Sequence, residues 1–207
     1  MAFPGLVFDD DDCEIRDFYL RIEAMPAADF NIVLIGYRGT GKTSVARKLA
    51  AQVGWPWFDS DVEIERAAKK TIAEIFAQDR EPAFRDWETQ AIEKLSERHG
   101  AILATGGGAI LRASNRQALA RHGRFVWLHA TAETIQDRLR IDVTTAARRP
   151  SLTGMSELDE IRTLLAERSP IYAALAELTV DTEAKSIEVL ASEIVAAWNL
   201  PIATEAT

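Results

Sequence analysis

N-I-V-L-I-G-Y-R-G-T-G-K-T-S-V-A-R-K-L-A, from Asn31 to Ala50, is the stretch that decides the fold. Ile32 to Ile35 form an apolar run of strand character, and a glycine-rich turn follows it directly. Lys42-Thr43 then opens a helix in which Val45, Ala46, Leu49 and Ala50 recur at helical spacing. Gly36, Gly39 and Gly41 allow backbone angles and approaches that side chains forbid, so successive N–H groups can converge on phosphate oxygens. Lys42 supplies a point charge for the outer phosphates, and the Thr43 hydroxyl suits Mg²⁺. A helix that starts at the loop turns its positive dipole end toward the same anion. The strand before the loop and the amphipathic helix after it set G-x-x-x-x-G-K-T apart from an ordinary glycine-rich turn.

Working downstream, Gly54 and Pro56 mark a turn, and Trp57-Phe58 make a short strand ending at Asp59-Ser60-Asp61. Two carboxylates separated by one residue, just beyond a phosphate loop, suit a divalent metal and a substrate hydroxyl. The competing role is to cap a helix beginning at Val62. Helical patterns cover Val62–Lys69, Ile72–Ala77 and Pro82–Arg98, the last with Phe84, Trp87, Ala91 and Leu95 on one stripe. Arg85 stands near its start, able to fork onto a carboxylate or to pair with Glu81 or Glu88.

A third strand, Ala101–Thr105, is apolar throughout, as in a buried parallel sheet, and runs into Gly106-Gly107-Gly108. Three glycines at a strand end point to a close approach of ligand to main chain, or to a flexible turn. Arg112–His122 reads as helix, Phe125–Leu128 as strand and Ala132–Arg140 as helix. Residues 141–156 lose periodicity and carry Arg148-Arg149, the pattern of a mobile lid that carries positive charge, or of an exposed loop. Glu157–Leu175 is helical and bears Arg168 before Ser169-Pro170, Leu178–Val180 is a fifth strand, and Ser186–Trp198 closes the domain. The expected architecture is α/β: a doubly wound five-stranded parallel sheet flanked by helices, a P-loop kinase with a mobile lid at about 141–156. The domain occupies residues 30–200, between an acidic extension (1–29) and a flexible tail (201–207).

Bulk properties narrow the partners. In 207 residues, Lys+Arg number 24 against Asp+Glu 32, and the net charge of −8 argues against a general nucleic-acid surface. Asp9 to Asp12 stand where a signal peptide has a basic start, and no later run is long and apolar enough to span a bilayer. The one cysteine, Cys13, fits a reducing compartment. The expectation is a cytoplasmic monomer without nucleic-acid or membrane partners. Ile15, Phe18, Tyr19 and Ile22 give the extension one short helix-like stripe.

Residue chemistry alone reaches a small ATP-dependent phosphotransferase with an anionic, hydroxylated acceptor. The set G-Y-R-G-T-G-K-T, F-D-S-D, F-R, A-T-G-G-G, R-R-P and E-R-S-P-I-Y, in this order from Asn31 to about Trp198, resembles shikimate kinase. That resemblance implies transfer of the ATP γ-phosphoryl group to the 3-hydroxyl of shikimate, with ATP and Mg²⁺ required. It implies that Gly39, Thr40, Gly41, Lys42, Thr43 and Ser44 hold ATP phosphates, with Thr43 and Asp59 at the metal. Asp61 would hydrogen-bond the reacting hydroxyl, Arg85 and Arg168 would grip the acceptor carboxylate, and Gly107 and Gly108 would approach it through backbone N–H groups. Arg149 would reach the transferred phosphate, making Lys42, Asp61 and Arg149 the catalytic set. The lid departs from the family in reading R-R-P-S-L, and either Arg140 or Arg148 matches the family's adenine-contacting arginine. A gluconate-type kinase and a non-catalytic nucleotide-binding module are the alternatives.

Overall fold

A computed structural model of the chain describes residues 29–141 and 156–203. The acidic extension with its helix-like stripe, the lid arginines Arg148 and Arg149, and the end of the tail lie outside the described residues. Five strands, β1 (Asn31–Ile35), β2 (Trp57–Asp59), β3 (Ile102–Ala104), β4 (Gly123–His129) and β5 (Leu178–Asp181), form one sheet in the order β2-β3-β1-β4-β5. Every neighbouring pair is parallel. The helices are α1 (Lys42–Val53), α2 (Ser60–Ala68), α3 (Ile72–Gln78), α4 (Arg80–Ser96), α5 (Ala113–Ala120), α6 (Ala132–Ile141), α7 (Glu157–Leu175) and α8 (Ile187–Trp198). The expected doubly wound fold is the observed one.

The period of two along a strand explains the layers. Ile32 and Leu34 of β1 join the cluster built from Val45, Leu49 and Val53 of α1 and Leu190 and Ile194 of α8. Val33 and Ile35 point the other way, into Ile92 and Leu95 of α4, Leu119 of α5 and Tyr172 of α7. All five residues of β1 are buried, as its unbroken apolar run requires in a sheet covered on both faces. Beside β2, helices α2 to α4 enclose a smaller core of Ile64, Ile72, Ile75, Phe84 and Ala91. Among the described residues, no helix is long and apolar enough to cross a membrane.

Two of the boundaries that differ from the sequence reading do so for evident local reasons. Helix α2 begins at Ser60 rather than Val62, because the Asp59 side chain caps it by accepting from the Asp61 N–H at 2.9 Å. Asp61 therefore lies in the first turn of the helix. After the glycine triplet the chain makes a 3-10 turn, Ala109–Leu111, before α5, whose span is shorter than Arg112–His122.

Candidate active site

The register of the sheet brings the suspect loops to one height. Leu34 in β1 lies level with Ala104 in β3, and Ala104 lies level with Asp59 in β2. The chain therefore leaves these three strands side by side, at their carboxyl ends, where open α/β sheets bind ligands.

The phosphate loop is fixed by glycine geometry. Gly36 has φ 140, and a Cβ there would collide with the Leu128 carbonyl oxygen of β4. Gly41, at φ 89, is the residue from which α1 starts. Lys42 is buried, with its Nζ donating to the carbonyls of Gly36 at 2.9 Å and Tyr37 at 2.7 Å. The ammonium thus spans the mouth of its own loop. Thr40 is buried and donates through Oγ1 to the same Tyr37 carbonyl at 2.8 Å, Gly39 packs against Leu139 of α6, and Ser44 sits half-buried in the first turn of α1.

Beside the loop, the Thr43 hydroxyl donates to Oδ2 of Asp59 at 2.7 Å. Burial pushes the Asp59 carboxyl above its ordinary range and the Asp61 charge adds to the rise, while Thr43, the Asp61 N–H and Lys42 oppose it. Asp59 is thus both helix cap and partner of the loop, so the two readings of D-S-D coexist. A hydroxyl and a carboxylate are hard oxygen donors of the kind Mg²⁺ takes from protein, with phosphate and water completing its shell. No group of three or more His, Cys, Asp or Glu among the described residues could hold a metal by itself. The Thr43 and Asp59 oxygens fit Mg²⁺ carried in with a nucleotide.

The acceptor side is built around the glycine triplet. The Gly106 N–H donates to the buried Ser60 hydroxyl at 2.8 Å, and the Gly107 carbonyl accepts from the Tyr172 hydroxyl at 2.6 Å. A Cβ on Gly107 would sit 3.2 Å from the Arg38 nitrogen and 3.3 Å from the Gly36 oxygen. One on Gly108 would overlap the Arg85 guanidinium, 2.8 Å from Nη2 and 2.9 Å from Cζ. Within the chain, the close approaches at these two glycines are made by its own loop and by Arg85.

Arg85 donates to Glu88 Oε2 at 2.8 Å through Nη1 and to Glu81 Oε1 through Nε and Nη2. Both ion pairs named as its alternative are present, and that with the fully buried Glu88 is an interior one. Arg168, on α7, is 8% exposed and makes no ion pair and no hydrogen bond among the described residues. Its Cζ lies 5.6 Å from the centre of the Tyr37 ring. Arg140, one of the two adenine alternatives, is exposed near Glu157. Arg138 went unnoticed in the sequence: it donates to the Thr182 hydroxyl at 2.8 Å and to its carbonyl at 2.7 Å, at the end of β5. Ser60 and Tyr172 were missed too, since each acts through a partner remote in sequence.

A parallel sheet carrying a glycine loop with its lysine, a hydroxyl–carboxylate pair and an arginine-lined second side defines a P-loop kinase acting on a small molecule. The family model described as shikimate kinase matches residues 38–199, and the chain belongs to the shikimate kinase family. The shikimate kinase of Rhodopirellula baltica is 42% identical over 167 residues, covering 81% of this chain and 89% of its own. That of Symbiobacterium thermophilum is 42% identical over 164 residues, 79% of this chain and 93% of its own. The structure of shikimate kinase from Acinetobacter baumannii in complex with shikimate matches with TM-score 0.77 at 36% identity, over 87% of this chain and 96% of that one. A gluconokinase from Sinorhizobium meliloti shares the fold at TM-score 0.54 and 19% identity.

Proposed function

We propose that the chain transfers the γ-phosphoryl group of ATP to the 3-hydroxyl of shikimate, yielding 3-phosphoshikimate and ADP in aromatic amino-acid biosynthesis. Family membership supports this reading, and Arg168 carries it. Arg168 is nearly buried yet has no carboxylate partner among the described residues, so its charge stays open to an incoming anion. An acceptor with its own carboxylate supplies that anion.

In this mechanism the loop amides from Gly39 to Ser44 and the Lys42 ammonium hold the phosphates of ATP, with Lys42 exchanging loop carbonyls for phosphate oxygens. Thr43 and Asp59 hold Mg²⁺, which neutralises charge on the phosphates when bound. Asp61, in the first turn of α2, accepts the hydrogen bond of the 3-hydroxyl and orients it in line. Arg168 and Arg85 fix the carboxylate, while Gly107 and Gly108 approach the acceptor through backbone N–H groups. Arg149 of the lid, outside the described residues, adds charge to the transferred phosphoryl on closure. Phosphoryl transfer asks mainly for positioning and charge neutralisation, which these groups provide. The single cysteine suits a reducing compartment such as the cytoplasm.

A coupled ADP-release assay with shikimate, gluconate and no acceptor tests the reading. Turnover with shikimate is expected, with Arg168→Met raising its KM about a hundredfold and leaving the KM for ATP nearly unchanged. Turnover of gluconate but not shikimate would sink the assignment, and nucleotide binding without turnover would favour a non-catalytic module.

A further inference from the structure

Phosphate binding by a P-loop uses main-chain amides and does not call for an aromatic side chain at its start. Tyr37 nevertheless occupies that place and is 2% exposed, its ring packed with Ile135, Leu139 and Ile161. Two guanidinium groups stand beside this ring: Arg168 Cζ at 5.6 Å and Arg38 Cζ at 5.9 Å from its centre. Both lie within the range over which the negative face of an aromatic ring attracts a cation.

The two arginines differ in their remaining company. Arg38 Nη2 lies 3.7 Å from the buried Glu160 carboxylate. Arg168 has no carboxylate among the described residues, and the Tyr37 ring is what faces it. A carboxylate in that place would orient Arg168 but neutralise it, and would compete with the carboxylate of an incoming acceptor. A ring orients a guanidinium while leaving its charge and its N–H groups available. Burial pushes the Tyr37 phenol up, and the two arginines only partly offset this, so the ring carries no charge of its own at neutral pH.

We propose that Tyr37 is a positioning residue for acceptor recognition: its ring holds Arg168 in place without neutralising it, so that the acceptor carboxylate meets an oriented, uncompensated guanidinium. The inference rests on the reading of Arg168 as the carboxylate-binding group. Tyr37 also joins the two halves of the site, since its carbonyl accepts from Lys42 Nζ and Thr40 Oγ1 on the nucleotide side.

The test is steady-state kinetics of the full-length chain with phenylalanine, 3,4,5-trifluorophenylalanine or leucine at position 37, each also combined with Arg168→Met. Tyr37→Phe removes the hydroxyl but keeps the ring face, and is expected to leave the KM for shikimate within about threefold of wild type. The trifluorinated ring, of nearly the same shape but with a depleted face, and Tyr37→Leu are expected to raise that KM roughly three- to thirtyfold over Tyr37→Phe, with the KM for ATP unchanged. In the Arg168→Met background the difference between the two rings is expected to vanish, a non-additivity that a merely structural role does not produce. If Tyr37→Leu fails to fold, the two aromatic variants carry the test alone. Equal KM values for them in the presence of Arg168 overturn the proposal. Should Arg168→Met itself leave the KM for shikimate at the wild-type value, the acceptor reading falls and this inference falls with it.

Discussion

Thr43 and Asp59 are 16 residues apart in the chain, yet the hydroxyl of the first donates to Oδ2 of the second at 2.7 Å. That bond joins the start of α1 to the end of β2 and holds two oxygen donors side by side next to the phosphate loop. It also holds a carboxylate where, without metal, a carboxylate is poorly placed. Burial and the neighbouring Asp61 raise the proton affinity of Asp59, and the hydrogen bonds it accepts only partly offset them.

Stability should therefore depend on pH through Asp59, in a direction that metal reverses. The folded chain binds this proton more tightly than the unfolded chain does. Its stabilising contribution is full below the ordinary carboxylate range and is lost as pH rises through the elevated folded value. Asp59→Asn keeps the shape and a capping oxygen but removes the charge. Without metal at about pH 8 the variant is expected to melt above wild type, by roughly 2–4 °C if about 1 kcal/mol is recovered. The gap closes on acidification toward the ordinary carboxylate pKa. With Mg²⁺ and ATP the order inverts, because the metal needs the ionised oxygen. Melting curves across pH with and without Mg-ATP check this, and a gap that widens toward acid would contradict it.

The glycine triplet gives a second prediction, about place rather than charge. At Gly108 the backbone angle is ordinary, φ −97, and the obstacle to a side chain is the tip of Arg85. Gly108→Ala should fold and push the guanidinium aside, raising the KM for shikimate about tenfold, the loss of roughly one charge-assisted hydrogen bond. The KM for ATP should stay near wild type. At Gly36 the obstacle is the Leu128 backbone carbonyl and φ is 140, so neither can yield cheaply. Gly36→Ala is expected to cost about 2–4 kcal/mol of stability and to weaken ATP binding. Kinetics of both variants beside their melting temperatures separate the two cases. A Gly108→Ala enzyme with unchanged shikimate KM would mean that Arg85 does not set the acceptor site.

These two sites also show what sequence can carry. The strand, loop and helix around Lys42 were legible because the pattern is local: the apolar run, the three glycines and the helical stripe all lie within 20 residues. The order of elements was legible from alternation of the two periods, and Asp59, Asp61, Arg85 and Arg168 from the company they keep along the chain. What escaped is made of contacts between distant residues. Ser60 binds Gly106 across 46 positions and Tyr172 binds Gly107 across 65, and nothing near either serine or tyrosine announces it. The glycine triplet was legible as a place of close approach, but the loop and the Arg85 tip that crowd it within the fold were not. A sequence reports that a side chain is excluded, and only the packing reports by what. Tyr37 carried no signal of its own in the sequence, because it faces an arginine 131 residues away, a relation visible only once α7 packs on the loop.

The two carboxylates that hold Arg85 should behave very differently on removal. Glu88 is fully buried and meets Nη1 at 2.8 Å, whereas the Glu81 side chain, at 46% exposure, meets Nη2 at 3.0 Å. An exposed pair one helical turn apart is worth at most about 1 kcal/mol, since water and salt screen it and two long side chains must be ordered. Breaking a buried pair by removing one charge leaves the other desolvated, at a cost of about 3–5 kcal/mol. Glutamine keeps one acceptor oxygen, so Glu88→Gln is expected near the lower figure and Glu81→Gln within about 1 kcal/mol of wild type. Because Arg85 is already matched inside the fold by Glu88, the charge left for an acceptor carboxylate comes mainly from Arg168. Arg85→Met should therefore raise the KM for shikimate less than Arg168→Met does, while destabilising the fold more. Denaturant melts of the four single variants, read beside their shikimate KM values, decide the matter. Equal stability losses for Glu81→Gln and Glu88→Gln, or a larger KM effect at Arg85 than at Arg168, would show that the charges are divided otherwise.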